Sequence, residues 1–213
     1  MIDRFIGLDL DGVIRHNNKS LGTGDIPIEW RNREKLQQLY RDGLLPLCYY
    51  ITKPKDIVFI DGVLETLKLF HELEINQYVL TNQEAIGLEI MDEEDWQIIY
   101  EVMDLEIHKF DGNIDMWFWC PHFPDEGCNC RKPKPGMFYE LRDMGADLSQ
   151  MVFIGDNPSD MEAAHRAGCG KKIHIILDGA DEEFKHSEYS DNTASSLQDA
   201  VPAILKWIFH IDD

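Results

Sequence analysis

The sequence has no apolar run approaching the roughly 20 residues that a membrane-spanning helix needs. Its first residues, Met1-Ile2-Asp3-Arg4, lack the basic segment and long apolar stretch of a secretion signal. Together these absences make a cytoplasmic protein, away from membranes, the expectation. Positive charge is scarce, with 20 lysines and arginines against 40 aspartates and glutamates and a formal charge of −20. Such a surface repels phosphate backbones, so nucleic acid is not expected as a partner. It also repels small phosphorylated molecules, so any phosphate site has to be a local basic pocket or a metal-assisted one. Cysteine is few and odd in number, five in all, which suits a reducing compartment better than a disulfide framework. Two of the five, Cys48 and Cys169, stand apart and read as small buried residues. No repeat, low-complexity tract or linker divides the 213 residues, so one domain over 1–213 is expected, with 44% apolar residues available for its core.

The other three cysteines are concentrated. Cys120-Pro121-His122 is followed after five residues by Cys128-Asn129-Cys130-Arg131-Lys132-Pro133. Three thiols and an imidazole on a proline-rich loop, 120–130, can close a tetrahedral zinc site. A loop of free thiols, or a disulfide between two of them, is the alternative, although Cys-x-Cys is a poor spacing for an internal bridge. Four protein ligands leave no coordination position for water, so such a zinc is structural. It would order a loop whose next two residues are the cations Arg131 and Lys132.

Along the chain, short apolar strands alternate with amphipathic helical stretches. Residues 4–12, 76–82, 151–156 and 172–177 read as buried strands, and Trp117-Phe118-Trp119 as strand core or a pocket wall. Helical periodicity runs near 61–73, 92–107, 135–144, 158–167 and 195–208, with Asp61 as N-cap of the first and Ser195 with Gln198 as a capping box for the last. The alternation predicts an α/β fold with a doubly wound, mainly parallel sheet. Residues 16–50 interrupt it as an insertion, and residues 178–191, with six acids and one lysine, read as a solvated loop.

In that architecture ligands bind beyond the carboxyl ends of the strands, where Asp9, Thr81 and Asp156 all fall. Asp9-Leu10-Asp11-Gly12 places two acids at the end of an apolar strand. Alone it is as readily a polar turn. With Asp156 it offers a set of hard oxygen ligands suited to Mg²⁺.

The set resembles the haloacid dehalogenase superfamily of phosphohydrolases, through Asp9-Leu10-Asp11-Gly12-Val13, Thr81, Lys132 and Gly155-Asp156-Asn157-Pro158-Ser159-Asp160 in order. More narrowly, Thr81-Asn82-Gln83 and Cys130-Arg131-Lys132-Pro133-Lys134-Pro135-Gly136 are similar to the zinc-containing heptose bisphosphate and histidinol phosphatases. The resemblance implies a Rossmann-like core and a Mg²⁺-dependent phosphatase. In it Asp9 is the nucleophile that becomes an aspartyl-phosphate, and Asp11 the acid and then the base. Asp9, the Asp11 carbonyl and Asp156 hold Mg²⁺, with Asp160 supporting that shell. Thr81 and Lys132 hold phosphoryl oxygens; Asn82 and Arg131 complete the phosphate and substrate contacts. Between Lys132 and Lys134 only the family pattern chooses. Cys120, His122, Cys128 and Cys130 bind Zn²⁺.

The chain departs from that branch in three places. Glu84-Ala85-Ile86-Gly87 stands where Ser-Gly-Ile is usual, Asn157 stands where lysine is common, and the 16–50 insertion replaces a short flap. The implied substrate is a small phosphorylated sugar such as D-glycero-D-manno-heptose 1,7-bisphosphate, cleaved at the 7-phosphate. Histidinol phosphate, another metabolite, a nucleic-acid 3′-phosphate end and a non-catalytic zinc-stabilised interaction protein are the alternatives. The acidic surface opposes the nucleic-acid end, and the retained set of acids and Lys132 opposes the last.

Overall fold

The computed structural model describes residues 4–16 and 50–211. The insertion expected over 16–50 therefore lies outside the described residues except at its two ends, as does Cys48. Among the described residues a six-stranded parallel sheet has the order β3-β2-β1-β4-β5-β6. The strands are β1 Phe5–Leu8, β2 Asn76–Asn82, β3 Met116–Cys120, β4 Val152–Gly155, β5 Lys171–Ile175 and β6 Asn192–Ala194. The chain winds outward in one direction from β1 to β3 and in the other from β4 to β6. The switch beside β1 opens a crevice at the carboxyl ends of β1, β2 and β4, where such sheets take their ligands.

The period-2 alternation of each strand sorts its residues into two layers. Ile6, Leu8, Val79, Val152, Ile154 and Ile173 face one core, whereas Phe5, Leu80, Phe118 and Phe153 face the other. The first layer is closed by α1 (Val63–Glu72), α3 (Glu93–Lys109) and α6 (Leu197–Ile208), which bring in apolar residues at helical spacing; the very short α2 (Glu84–Gly87) lies between α1 and α3. Trp96, Ile99, Met103 and Ile107 of α3 show that spacing most clearly. The second layer is closed by α4 (Gly136–Asp143) and α5 (Pro158–Ala167). Each large side chain so buried stabilises the fold by about 1.5–3 kcal/mol. Gly7 in the middle of β1 makes room on the second face: a Cβ there would lie 2.1 Å from Met151 Cε and 2.7 Å from Phe153 Cδ2.

The structure differs from the sequence expectations mainly at element ends. β1 stops at Leu8, so Asp9 and Asp11 lie beyond the strand rather than on it. The first helix begins at Gly62, not Asp61; Gly62 adopts φ 77°, and a Cβ there would meet Gln198 Oε1 at 2.4 Å. The last helix is capped by Ser196, whose Oγ accepts from Asp199 N at 3.1 Å, one residue later than expected. Two elements went unread, the short α2 and the exposed edge strand β6. No helix among the described residues is long and apolar enough to cross a membrane.

Candidate active site

The site begins where β1 ends. Asp9 N donates to Ile154 O at 2.8 Å, which ties the turn to β4, and the chain then folds back with Ile14 N and Arg15 N donating to Leu10 O at 2.9 and 3.1 Å. Gly12 sits at φ +86°, and a Cβ there would lie 2.1 Å from Asp156 Oδ2. Glycine is thus needed both for the turn and for the close approach of Asp156. The returning loop carries Arg15, 1% exposed, back onto Asp11. Its Nε donates to Asp11 Oδ1 at 2.8 Å and its Nη2 to Oδ2 at 3.3 Å. Gln83 Nε2 donates to Asp11 Oδ2 at 3.1 Å and to Thr81 Oγ1 at 3.0 Å. The Asp11 carboxylate is therefore held on both oxygens.

Lys132 crosses from the cysteine-rich loop into the same crevice. Its Nζ donates to Asp9 Oδ1 at 2.6 Å and Leu80 O at 2.7 Å, and pairs with Asp160 Oδ1 at 2.7 Å. Its backbone is fixed as well: Asn82 Nδ2 donates to Lys132 O at 3.2 Å, and Lys132 N donates to Asn82 Oδ1 at 3.1 Å. Asn82, expected among the substrate contacts, thus anchors the loop with both ends of its amide. Lys134 points elsewhere, donating to the carbonyls of Gly127 and Cys128. Of the two lysines, which only the family pattern told apart, Lys132 alone is on Asp9. Asp160 has two tasks, since its Oδ2 also accepts from Asn157 N at 3.0 Å at the start of α5. Gly155 permits this, because a Cβ there would lie 2.4 Å from Asp160 Cβ.

Burial and crowding of anions dominate the electrostatics. Burial pushes the Asp9 carboxyl up to about 7, Lys132 pulls it back, and Asp160 and Asp11 add to the rise. Asp156 is raised well above the ordinary carboxylate range by burial and then by Asp9, Asp160 and Asp11. Burial works to lower Lys132, but Asp160 and Asp9 outweigh it and hold the ammonium above its usual value. Carboxylate oxygens of Asp9, Asp156 and Asp160 come within 4.8 Å of one another. Lys132 and Asn157 already engage both Asp160 oxygens, which leaves Asp9 and Asp156 as the better ligands. Hard oxygen donors under mutual repulsion fit a divalent cation such as Mg²⁺. Asp11, expected to contribute through its backbone carbonyl, is not in this carboxylate group.

The cysteine-rich loop stands beside the crevice because Cys120 ends β3, paired in register with Asn82 of β2, and Gln83 N donates to Cys120 O at 2.8 Å. Cys120 Sγ lies 3.6 Å from both His122 Nδ1 and Cys128 Sγ; Cys130 Sγ lies 3.1 Å from Cys120 Sγ and 3.3 Å from His122 Nδ1. A tetrahedral zinc with ordinary bond lengths separates its ligands by about 3.5–3.8 Å; the two 3.6 Å separations match that ion, and Cys130 would have to draw back by a few tenths of an ångström to join it. No disulfide joins the four described cysteines. Cys169 is buried, as expected of a small core residue.

Several site residues were not legible beforehand. Arg15 offered only a cation four residues after Asp11, and Gln83 resembled an ordinary turn residue. His174 gave no spacing signal, yet it is fully buried and its Nε2 donates to Asp156 O at 3.1 Å. Glu84 forms an ion pair with Arg131 and accepts from Tyr50 Oη at 2.7 Å. Asp9, Asp11, Thr81, Arg131, Lys132 and Asp156 all line one cavity of about 510 Å³, a volume suited to a small metabolite.

Comparison with known proteins gives the same picture. Residues 129–200 match the HAD-hydrolase-like family model. The chain is 31% identical over 175 residues to the D-glycero-beta-D-manno-heptose-1,7-bisphosphate 7-phosphatase of Photorhabdus laumondii, covering 78% of this chain and 93% of that one. It is 35% identical over 153 residues to the D-glycero-alpha-D-manno-heptose-1,7-bisphosphate 7-phosphatase of Campylobacter jejuni, covering 71% and 85%. In fold it is similar to the D,D-heptose 1,7-bisphosphate phosphatase from B. bronchiseptica, a structure complexed with magnesium and phosphate, with a TM-score of 0.74, 22% identity and coverage of 95% and 98%.

Proposed function

From the premise that the chain belongs to the haloacid dehalogenase-like phosphatases, in the branch of the heptose-1,7-bisphosphate 7-phosphatases, we propose that it hydrolyses the phosphomonoester of a small phosphorylated sugar through an aspartyl-phosphate at Asp9. The observation that carries this reading is the placement of Asp9, Thr81, Lys132 and Asp156 around one cavity at the carboxyl ends of β1, β2 and β4. The heptose 1,7-bisphosphate in the relatives' names is the leading member of that substrate class.

Lys132 holds Asp9 Oδ1, which leaves Oδ2 to attack phosphorus as the bond to the sugar oxygen breaks. Lys132 and the Thr81 hydroxyl then face the three equatorial oxygens, where charge redistributes in the transition state. Asp11 gives its proton to the leaving sugar oxygen and later takes one from the water that cleaves the aspartyl-phosphate. The hydrogen bonds from Arg15 and Gln83 fix where that carboxyl sits. Asp9, Asp156 and the Asp11 carbonyl would hold a Mg²⁺ ion, which would supply positive charge to offset repulsion between carboxylate and phosphate. Asn82 positions Lys132 through its backbone.

The test is phosphate release by the purified protein from a panel of sugar phosphates and an aryl phosphate. Turnover that needs Mg²⁺ and stops on chelation is expected; no release from any phosphoester would sink the reading. Zinc has its own expectation, one equivalent per chain by elemental analysis. Cys130→Ser should lose that zinc and most activity together, since Cys130 adjoins Arg131 and Lys132. Full activity in a zinc-free protein would separate the loop from catalysis.

A further inference from the structure

The cavity is lined, among the described residues, by five carboxylates and three cations. A bound divalent cation cancels the excess of two negative charges. Each of the three cations is already engaged. Arg15 holds Asp11, Lys132 holds Asp9 and Asp160, and Arg131 holds Glu84. Lys132 reaches Asp9, where phosphoryl transfer occurs. Arg131 lines the same cavity and is held by Glu84, which Tyr50 also contacts. An unpaired arginine there would take a second phosphate in a bidentate grip. Here Glu84 occupies that grip.

Glu84 is held in place from two sides. It begins α2, directly after Gln83, so its backbone is set by the end of β2. Its Oε1 accepts from Tyr50 Oη at 2.7 Å while Oε2 meets Arg131. Burial, and then Glu84 itself, push the Tyr50 phenol well up, so the hydroxyl keeps its proton and stays a donor. Arg131 is restrained on its other side too, with Nη1 donating to His122 O at 3.3 Å. A second phosphate approaching Arg131 would have to displace a carboxylate already seated there and then remain beside it. Like charges so placed oppose binding. Hydroxyl groups face no such conflict, because they donate to a carboxylate and accept from a guanidinium.

We propose that Glu84 withdraws Arg131 from anion binding and makes this chain selective for phosphomonoesters with an uncharged, polyhydroxylated leaving group, against sugar bisphosphates. The proposal rests on the phosphatase reading above and departs from it at the leading substrate, the monophosphate being preferred to the 1,7-bisphosphate. It sets this chain apart from relatives named for a bisphosphate.

The experiment compares kcat/KM for D-glycero-D-manno-heptose 7-phosphate and the 1,7-bisphosphate, with an aryl phosphate as reference, in wild type, Glu84→Gln and Arg131→Met. Wild type should favour the monophosphate by at least about tenfold. Glu84→Gln should shrink that preference about tenfold, chiefly through a lower KM for the bisphosphate. Arg131→Met leaves Glu84 without its cation and should widen the preference for the monophosphate. A wild-type preference for the bisphosphate overturns the proposal, as do equal values for the two sugars or a ratio that Glu84→Gln leaves unchanged. If the aryl phosphate is hydrolysed, such results remove only the proposal. If nothing is hydrolysed, the phosphatase reading falls with it.

Discussion

Asp9→Asn is expected to lower kcat by at least about 10⁴-fold, on the scale that removing a covalent nucleophile costs. The amide keeps the size of the carboxylate but cannot form the acyl phosphate at a comparable rate. The fold should survive, because Lys132 retains Asp160 and Leu80 O as partners. Removing one of several crowded anions also relieves the burial cost, and the repulsion from Asp160 and Asp11, that drive Asp9 up to about 7. The thermal midpoint should therefore be unchanged or higher. Steady-state kinetics and a melting curve on the same preparation check both parts. Substantial residual turnover by correctly folded Asp9→Asn would take the nucleophile role away from Asp9.

Lys132→Met should damage stability and catalysis together. The ammonium is 2% exposed and lies between Asp9 and Asp160, so methionine leaves two buried carboxylates facing each other. Breaking a buried ion pair from one side costs about 3–5 kcal/mol, which for a chain of this size lowers the melting midpoint by roughly 6–20 °C. Acidification should restore part of that loss, since protonating the exposed-to-each-other carboxyls removes the repulsion. Loss of a charge-stabilising contact to the phosphoryl group adds about 10²–10³-fold in kcat. Calorimetry and single-turnover kinetics separate the two effects. An unchanged midpoint would show that Lys132 is not the partner of this carboxylate pair.

The parallel sheet, most of the helices and the gathering of Cys120, His122, Cys128 and Cys130 are legible because each rests on local pattern. Val79-Leu80 and Phe153-Ile154 mark buried strands without reference to anything distant. Cys120, His122, Cys128 and Cys130 lie within one loop, and their chemistry restricts what they bind. Asp9, Thr81 and Asp156 were found by a rule of architecture: they end strands that alternate with helices. Errors arose where neighbouring residues compete for one task. Ser195 and Ser196 can both cap a helix, and register against the rest of the fold chose Ser196. The short α2 carries too few residues for a period to show.

The partnerships were a different matter. Lys132 and Lys134 are equivalent by spacing, yet one reaches Asp9 and the other reaches the carbonyls of its own loop. Arg15 on Asp11 and Gln83 on both Asp11 and Thr81 depend on where two separate turns meet. Glu84 and Arg131 are 47 positions apart and become an ion pair when the end of β2 and the zinc loop are brought side by side. The motifs around Asp9, Thr81, Lys132 and Asp156 are legible in the chain, and their resemblance to the haloacid dehalogenase superfamily is what implies a phosphatase. Which cation neutralises which acid, and so which leaving group the cavity admits, is set by contacts a few ångströms long between distant segments. Periodicity and motif do not encode those contacts; the packing of the sheet and its loops does.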